Sequence, residues 1–157
     1  MHAENAAEPL DPVTERRVRD SFGRQGLMAH LGASLEEVRK GFVRIRLPFR
    51  PELTQQHGYF HAGGASAIAD SAGGYAGFSL FPPDSAVLTV EFKINLLAPA
   101  VGDYLEAVGR VIRSGRTLTV CQLEVFAIKG DTRTAVAVGQ QTLMRLAART
   151  GDDRSPG

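Results

Sequence analysis

The stretch from Gln55 to Phe78 constrains this chain most, because it fits no ordinary secondary structure. It is too long for a strand and too poor in β-branched residues. Its glycines also count against a helix, by roughly 1 kcal/mol each relative to alanine. A loop of this length is rare inside a compact domain. The consistent solution is a helix rescued by tertiary packing, whose small side chains let a curved sheet wrap closely around it. Asp70 lies inside this segment, between Ala67-Ile68-Ala69 and Ser71-Ala72.

The flanking sequence supplies the sheet. Val43, Ile45 and Leu47 alternate with Arg44 and Arg46 in a half-buried strand that ends at Pro48. From Leu88 to Leu96 every second residue is apolar and the others are polar, which predicts one buried face and one wet face. Further strand patterns cover about 102–114, 116–128 and 134–146, separated by Ser114-Gly115 and Lys129-Gly130-Asp131. Turns this short join antiparallel neighbours. Asp11-Pro12 opens a helix that runs through Phe22 and, past Gly23, toward His30. The expected layout is α+β, one domain over residues 12–147, with frayed tails at 1–11 and 148–157.

Several function classes drop out. Eighteen basic residues against seventeen acidic ones leave a net charge of +1, which offers no basic face for nucleic acid and no polybasic membrane anchor. The first residues lack a signal-peptide pattern, and Ala62–Phe81 carries Asp70 among small residues, so neither a leader nor a membrane span is expected, and the expected compartment is the cytoplasm. Cys121 is the single cysteine, so there is no internal disulfide and no CxxC motif. The four histidines, His2, His30, His57 and His61, have no ligand spacing, and no metal is expected. Phosphate-cradling and dinucleotide-binding glycine motifs are missing. Ser66, Asp70 and His61 crowd one helix without a GxSxG elbow, poor geometry for a serine triad.

That leaves Asp70. A carboxylate mid-helix among small apolar residues either reaches solvent at an open edge or faces a pocket as base or nucleophile. His61, where the chain turns into the helix, is a capping group or a direct participant. The first turn at Ala62, Gly63 and Gly64 presents unpaired N–H groups and the positive end of the helix dipole. Glycine there lets a substrate carbonyl come close. An oxyanion at a thioester carbon would be stabilised in that spot, an effect worth about 3–4 kcal/mol per donor in other enzymes.

These residues resemble the PaaI-type branch of the hotdog-fold thioesterases, over roughly 41–146. The resemblance rests on His61-Ala62-Gly63-Gly64 followed by Asp70, on the long strand that runs on to Pro99-Ala100, and on Gly115-Arg116-Thr117-Leu118. It implies a hotdog fold and hydrolysis of acyl-CoA thioesters at a dimer interface. Asp70 would attack the thioester carbon or activate water, and the Ala62 N–H would polarise the carbonyl. Gln55 would place water or carbonyl where relatives often have asparagine, and Thr89 would support the carboxylate. Arg113 and Arg116 would meet the phosphates of coenzyme A, which is part of the substrate, so no separate cofactor is implied.

Ala62 stands where the pattern usually has glycine. An alanine serves unless the position needs a positive φ, and this departure motivates an alternative, a non-catalytic acyl-CoA sensor or scaffold. A hotdog dehydratase or hydratase, with His61 as the acid–base histidine, is the other. A single sheet around one helix leaves open edges that a second copy can cover, so a homodimer or homotetramer is expected. Gly73-Gly74-Tyr75-Ala76-Gly77 suits close helix approach across such an interface. Phe60, Tyr75, Phe78, Leu80 and Phe81 serve either an acyl or aryl pocket or the core.

Overall fold

The computed structural model describes residues 8–147. Two short helices, α1 (Pro12–Gly23) and α2 (Gly26–Leu31), lead into strands β1 (Ser34–Arg39) and β2 (Phe42–Pro48). The long helix α3 (Ala62–Phe78) follows, then β3 (Ser85–Leu96), β4 (Tyr104–Ser114), β5 (Leu118–Lys129) and β6 (Thr132–Ala147). All strands are antiparallel in one sheet of order β1-β2-β4-β5-β6-β3. This is the expected α+β layout. Residues 1–7 and 148–157, read as tails from the sequence, lie outside the described residues. Glu8 lies within them, accepting from the Lys40 N–H at 3.0 Å and pairing with Lys40 Nζ at 2.6 Å. No helix among the described residues is long and apolar enough to cross a membrane.

Small residues let α3 sit almost on the strand backbone. A Cβ at Gly109 of β4 would overlap the Ala72 carbonyl, and one at Gly73 would overlap the Gln141 side chain. At Gly77 it would meet Leu143. This corrects the interface reading of the Gly73–Gly77 run: both glycines face this chain's own sheet, and only Gly74 has open space. Ile68, Ala69, Ala72 and Ala76 fill the core with Ile45, Leu47, Leu105, Leu123 and Val125. Phe60, Tyr75, Phe78 and Phe81 are also buried, whereas Leu80 is exposed. Cys121 lies under Gly73, and burial pushes its thiol up to about 12.

The far end of α3 is tied by Arg17, whose guanidinium donates to the carbonyls of Phe78 (3.0 Å), Phe81 (2.8 Å) and Pro82 (2.6 Å). A cation suits the negative end of the helix dipole and satisfies carbonyls the helix leaves open. Arg17→Ala should cost about 1–3 kcal/mol, read as a lower urea midpoint at unchanged slope; an unchanged midpoint would reduce the cap to a surface contact.

The sheet departs from the sequence pattern at its edge. Leu88, Val90, Phe92 and Leu96, expected to be buried on one face, are 55%, 51%, 43% and 59% exposed in the single chain. β3 is the last strand, paired only with β6, and its outer edge carries no neighbour among the described residues. A bulge between Thr89 and Glu91 also breaks the alternation. Thr89 pairs with Leu143, while Phe92, Ile94 and Leu96 pair with Gln141, Gly139 and Ala137. Directly opposed residues share a face, so Thr89 joins the apolar side that α3 covers. Bulges re-aim side chains in this way beside functional sites.

Candidate active site

The first turn of α3 is fixed by its cap. His61 has extended backbone angles, and its Nδ1 accepts from the Gly63 N–H at 2.7 Å. The N–H groups of Gly64 and Ala65 turn back to the His61 carbonyl at 3.0 and 3.4 Å, and His61 N–H donates to Leu53. The Ala62 N–H takes no partner among the described residues. Ala62 is the first residue of the helix, and no non-glycine residue described has positive φ. Alanine therefore fits where the family pattern has glycine, and the backbone donor is intact. A Cβ at Gly63 would press on the His61 ring, and one at Gly64 would make only ordinary contact with Leu47.

This turn opens on a cleft of about 420 Å³. Gln55, Tyr59, Phe60, His61 and Ala62 form one wall, and the stretch from Leu96 to Ala100 forms another. No charged side chain among the described residues lines it. Gln55 Oε1 accepts from the N–H groups of His57 (2.6 Å) and Tyr59 (3.2 Å), which braces the loop and leaves the amide NH₂ for another partner.

Asp70 belongs to a separate cluster. Thr89 Oγ1 donates to its Oδ1 at 2.7 Å, and Gln141 Nε2 donates to the same oxygen at 2.5 Å. Gln141 also reaches Thr89 Oγ1 at 3.0 Å and the Asp70 carbonyl at 3.1 Å. Oδ2 takes no hydrogen bond among the described residues, so one oxygen is held and the other is left for chemistry. At 1.5 Å per residue, the eight residues from Ala62 to Asp70 put about 12 Å between the helix start and the carboxylate. Gln55, His61 and Ala62 thus come together, as do Asp70 and Thr89, while within one chain the two sets stay apart. Arg113 and Arg116 are exposed at the β4–β5 turn, toward the Asp70 end of the sheet, with no ion pair among the described residues.

Sequence reasoning missed Gln141. Its signal was parity: in the last strand it shares a face with Leu143 and Ala137, and a fully buried amide on such a face needs a reason. The serine-triad geometry is absent, since the His61 ring caps Gly63.

The thioesterase superfamily profile matches residues 57–134. A thioesterase family protein from Silicibacter pomeroyi is 45% identical, with a TM-score of 0.84 over 86% of this chain and 99% of its own. A Halobacterium salinarum protein with a provisional esterase name is 36% identical over 73% of this chain and 81% of that protein. The Escherichia coli PaaI protein from the phenylacetic acid degradation operon, at 20% identity, shares the fold with a TM-score of 0.77 over 86% of this chain and 94% of its own. Taken with the antiparallel sheet and its Gly/Ala helix, these matches establish that the chain belongs to the thioesterase superfamily, as a thioester hydrolase of the hotdog fold.

Proposed function

We propose that this protein hydrolyses acyl-CoA thioesters in the cytoplasm, as a homodimer or homotetramer whose active site is completed between two copies. The observation that carries the reading is the division of labour along α3. A free N–H stands at Ala62 and a carboxylate with one unbonded oxygen stands at Asp70, about 12 Å away, too far to act on one carbonyl. A second copy closes the gap. Antiparallel pairing of two β3 edges about Phe92 sets Thr89 of one copy opposite Asn95 of the other. Asp70 then approaches the other copy's cleft, where Leu96 forms part of the wall. The same pairing removes an open edge and sets the exposed Phe92 and Leu96 beside the second copy.

At such a site the thioester carbonyl accepts from Ala62 N–H while the Gln55 amide steadies carbonyl or water. As general base, Asp70 takes a proton from water, whose oxygen adds to the carbonyl carbon. The tetrahedral intermediate then expels the CoA thiolate, which leaves with a proton, and the acid is released. As nucleophile, Asp70 forms an acyl anhydride with loss of the thiolate, and water hydrolyses it. Arg113 and Arg116 are the candidates for the CoA phosphates. The apolar cleft suits small to medium aliphatic or aryl acyl groups. Neither route calls for a cofactor.

Thiol release from acetyl-, hexanoyl-, palmitoyl- and phenylacetyl-CoA tests this directly. Turnover of the short, medium or aryl substrates is expected, with palmitoyl-CoA slowest. Saturable acyl-CoA binding without release from any substrate would replace catalysis with a sensor role. Hydration of enoyl-CoA without thiol release would make the protein a hydratase, which the capping bond on His61 Nδ1 disfavours.

A further inference from the structure

We infer that Gln141 is a positioning residue for the reaction, holding the Asp70 carboxylate in its working rotamer. The inference rests on Asp70 being the catalytic carboxylate. Gln141 is fully buried on β6, and its amide NH₂ spans the Asp70 carboxylate, the Thr89 hydroxyl and the Asp70 backbone carbonyl. Thr89 and Gln141 both donate to Oδ1. An sp² oxygen has two lone pairs, so that oxygen is saturated and the side-chain torsions of Asp70 are fixed from two strands at once. Oδ2 is thereby the oxygen presented to substrate or water.

Stability does not account for this amide. Gln141 Oε1 is buried with no hydrogen-bond partner among the described residues, and an orphaned buried acceptor is destabilising. That oxygen lies against Gly73, where a Cβ would overlap it and Leu123 alike. An apolar residue of the same size would fill the space between α3 and β6 without the orphaned acceptor. Keeping a half-satisfied amide there fits a demand for its donor face, the usual trade of stability against function.

The test compares Gln141→Met with the parent in both Asp70 and Asp70→Asn backgrounds, using the full chain and the best acyl-CoA substrate. In the parent background kcat should fall by about 10–30-fold, the cost of a loosened catalytic group. KM should stay within about 2-fold, and the melting temperature should hold or rise. In the Asp70→Asn background the same change should alter the residual rate by less than about 2-fold, since Gln141 acts only through the carboxylate. An unchanged kcat beside a collapsed Asp70→Asn rate would overturn the inference and leave the thioesterase reading standing. Equal losses in both backgrounds with a lowered melting temperature would also overturn it, in favour of a structural role. Full activity in Asp70→Asn would remove the proposed mechanism itself, and the inference with it. If Gln141→Met does not fold, Gln141→Leu deletes the same donor and carries the same comparison.

Discussion

Asp70→Asn is expected to abolish nearly all thioester hydrolysis while the protein stays folded. Asparagine has the size of aspartate, and its carbonyl oxygen can still accept from Thr89 Oγ1 and Gln141 Nε2, the two groups that hold Oδ1. What disappears is the basicity and negative charge of the second oxygen. General-base catalysis contributes about 10²–10⁴-fold, so kcat should fall by about 10³-fold or more, roughly 4 kcal/mol of transition-state stabilisation. KM should change little, because asparagine keeps the size and the Oδ1 contacts of aspartate, and what is lost acts on the reacting atoms and not on the acyl group. Thermal melting reports the fold and thiol release reports the chemistry. A rate within tenfold of the parent would dismiss Asp70 as base and as nucleophile alike. Single turnover in ¹⁸O-water then identifies the nucleophilic role, since label enters the Asp70 side chain only when water attacks the Asp70 carbonyl of an anhydride, whereas the general-base route puts it all in the product acid.

Much of this arrangement is legible in the sequence because it follows from local physics. The Gly/Ala segment forms α3 because Gly73, Gly77 and Gly109 remove the side chains that would keep helix and sheet apart. Helix start, His61 cap and carboxylate are all local and readable in order. What the alternation hid was register. The Thr89–Glu91 bulge puts Thr89 on the same face as Phe92, Ile94 and Leu96, although strict alternation assigns it to the other. β1 escaped notice because Glu36 and Glu37 are poor strand formers; it is held as an edge by its ladder to β2, across which Glu37 pairs with Arg44. The partners of Arg17 and Gln141 are hidden for a different reason. Each acts on a segment more than fifty residues away, and no local pattern announces a carbonyl or carboxylate brought near by folding.

Ala62→Pro isolates the other half of the site. Ala62 is the first helical residue, the position where proline's fixed φ and missing N–H are best tolerated. His61, at φ −67° and ψ 140°, already has the extended backbone that a following proline demands. The substitution therefore removes the one donor proposed to polarise the thioester carbonyl and leaves the other capping bonds in place. Loss of such a donor costs about 10²–10³-fold in kcat. The melting temperature should be unchanged or slightly higher, because proline restricts the unfolded chain. The proline ring adds atoms at the mouth of the cleft, so affinity for a non-hydrolysable thioether analogue serves as the control; binding within about 3-fold of the parent excludes simple obstruction. The decisive form mixes this variant with Asp70→Asn. If each site takes Ala62 from one copy and Asp70 from the other, a heterodimer of the two variants holds one doubly damaged site and one intact site. Random reassortment makes half the dimers hybrid, so the mixture should recover about a quarter of parental activity from two nearly inactive parents. If each chain instead carried a complete site, every site in the mixture would hold one lesion, and no activity would return.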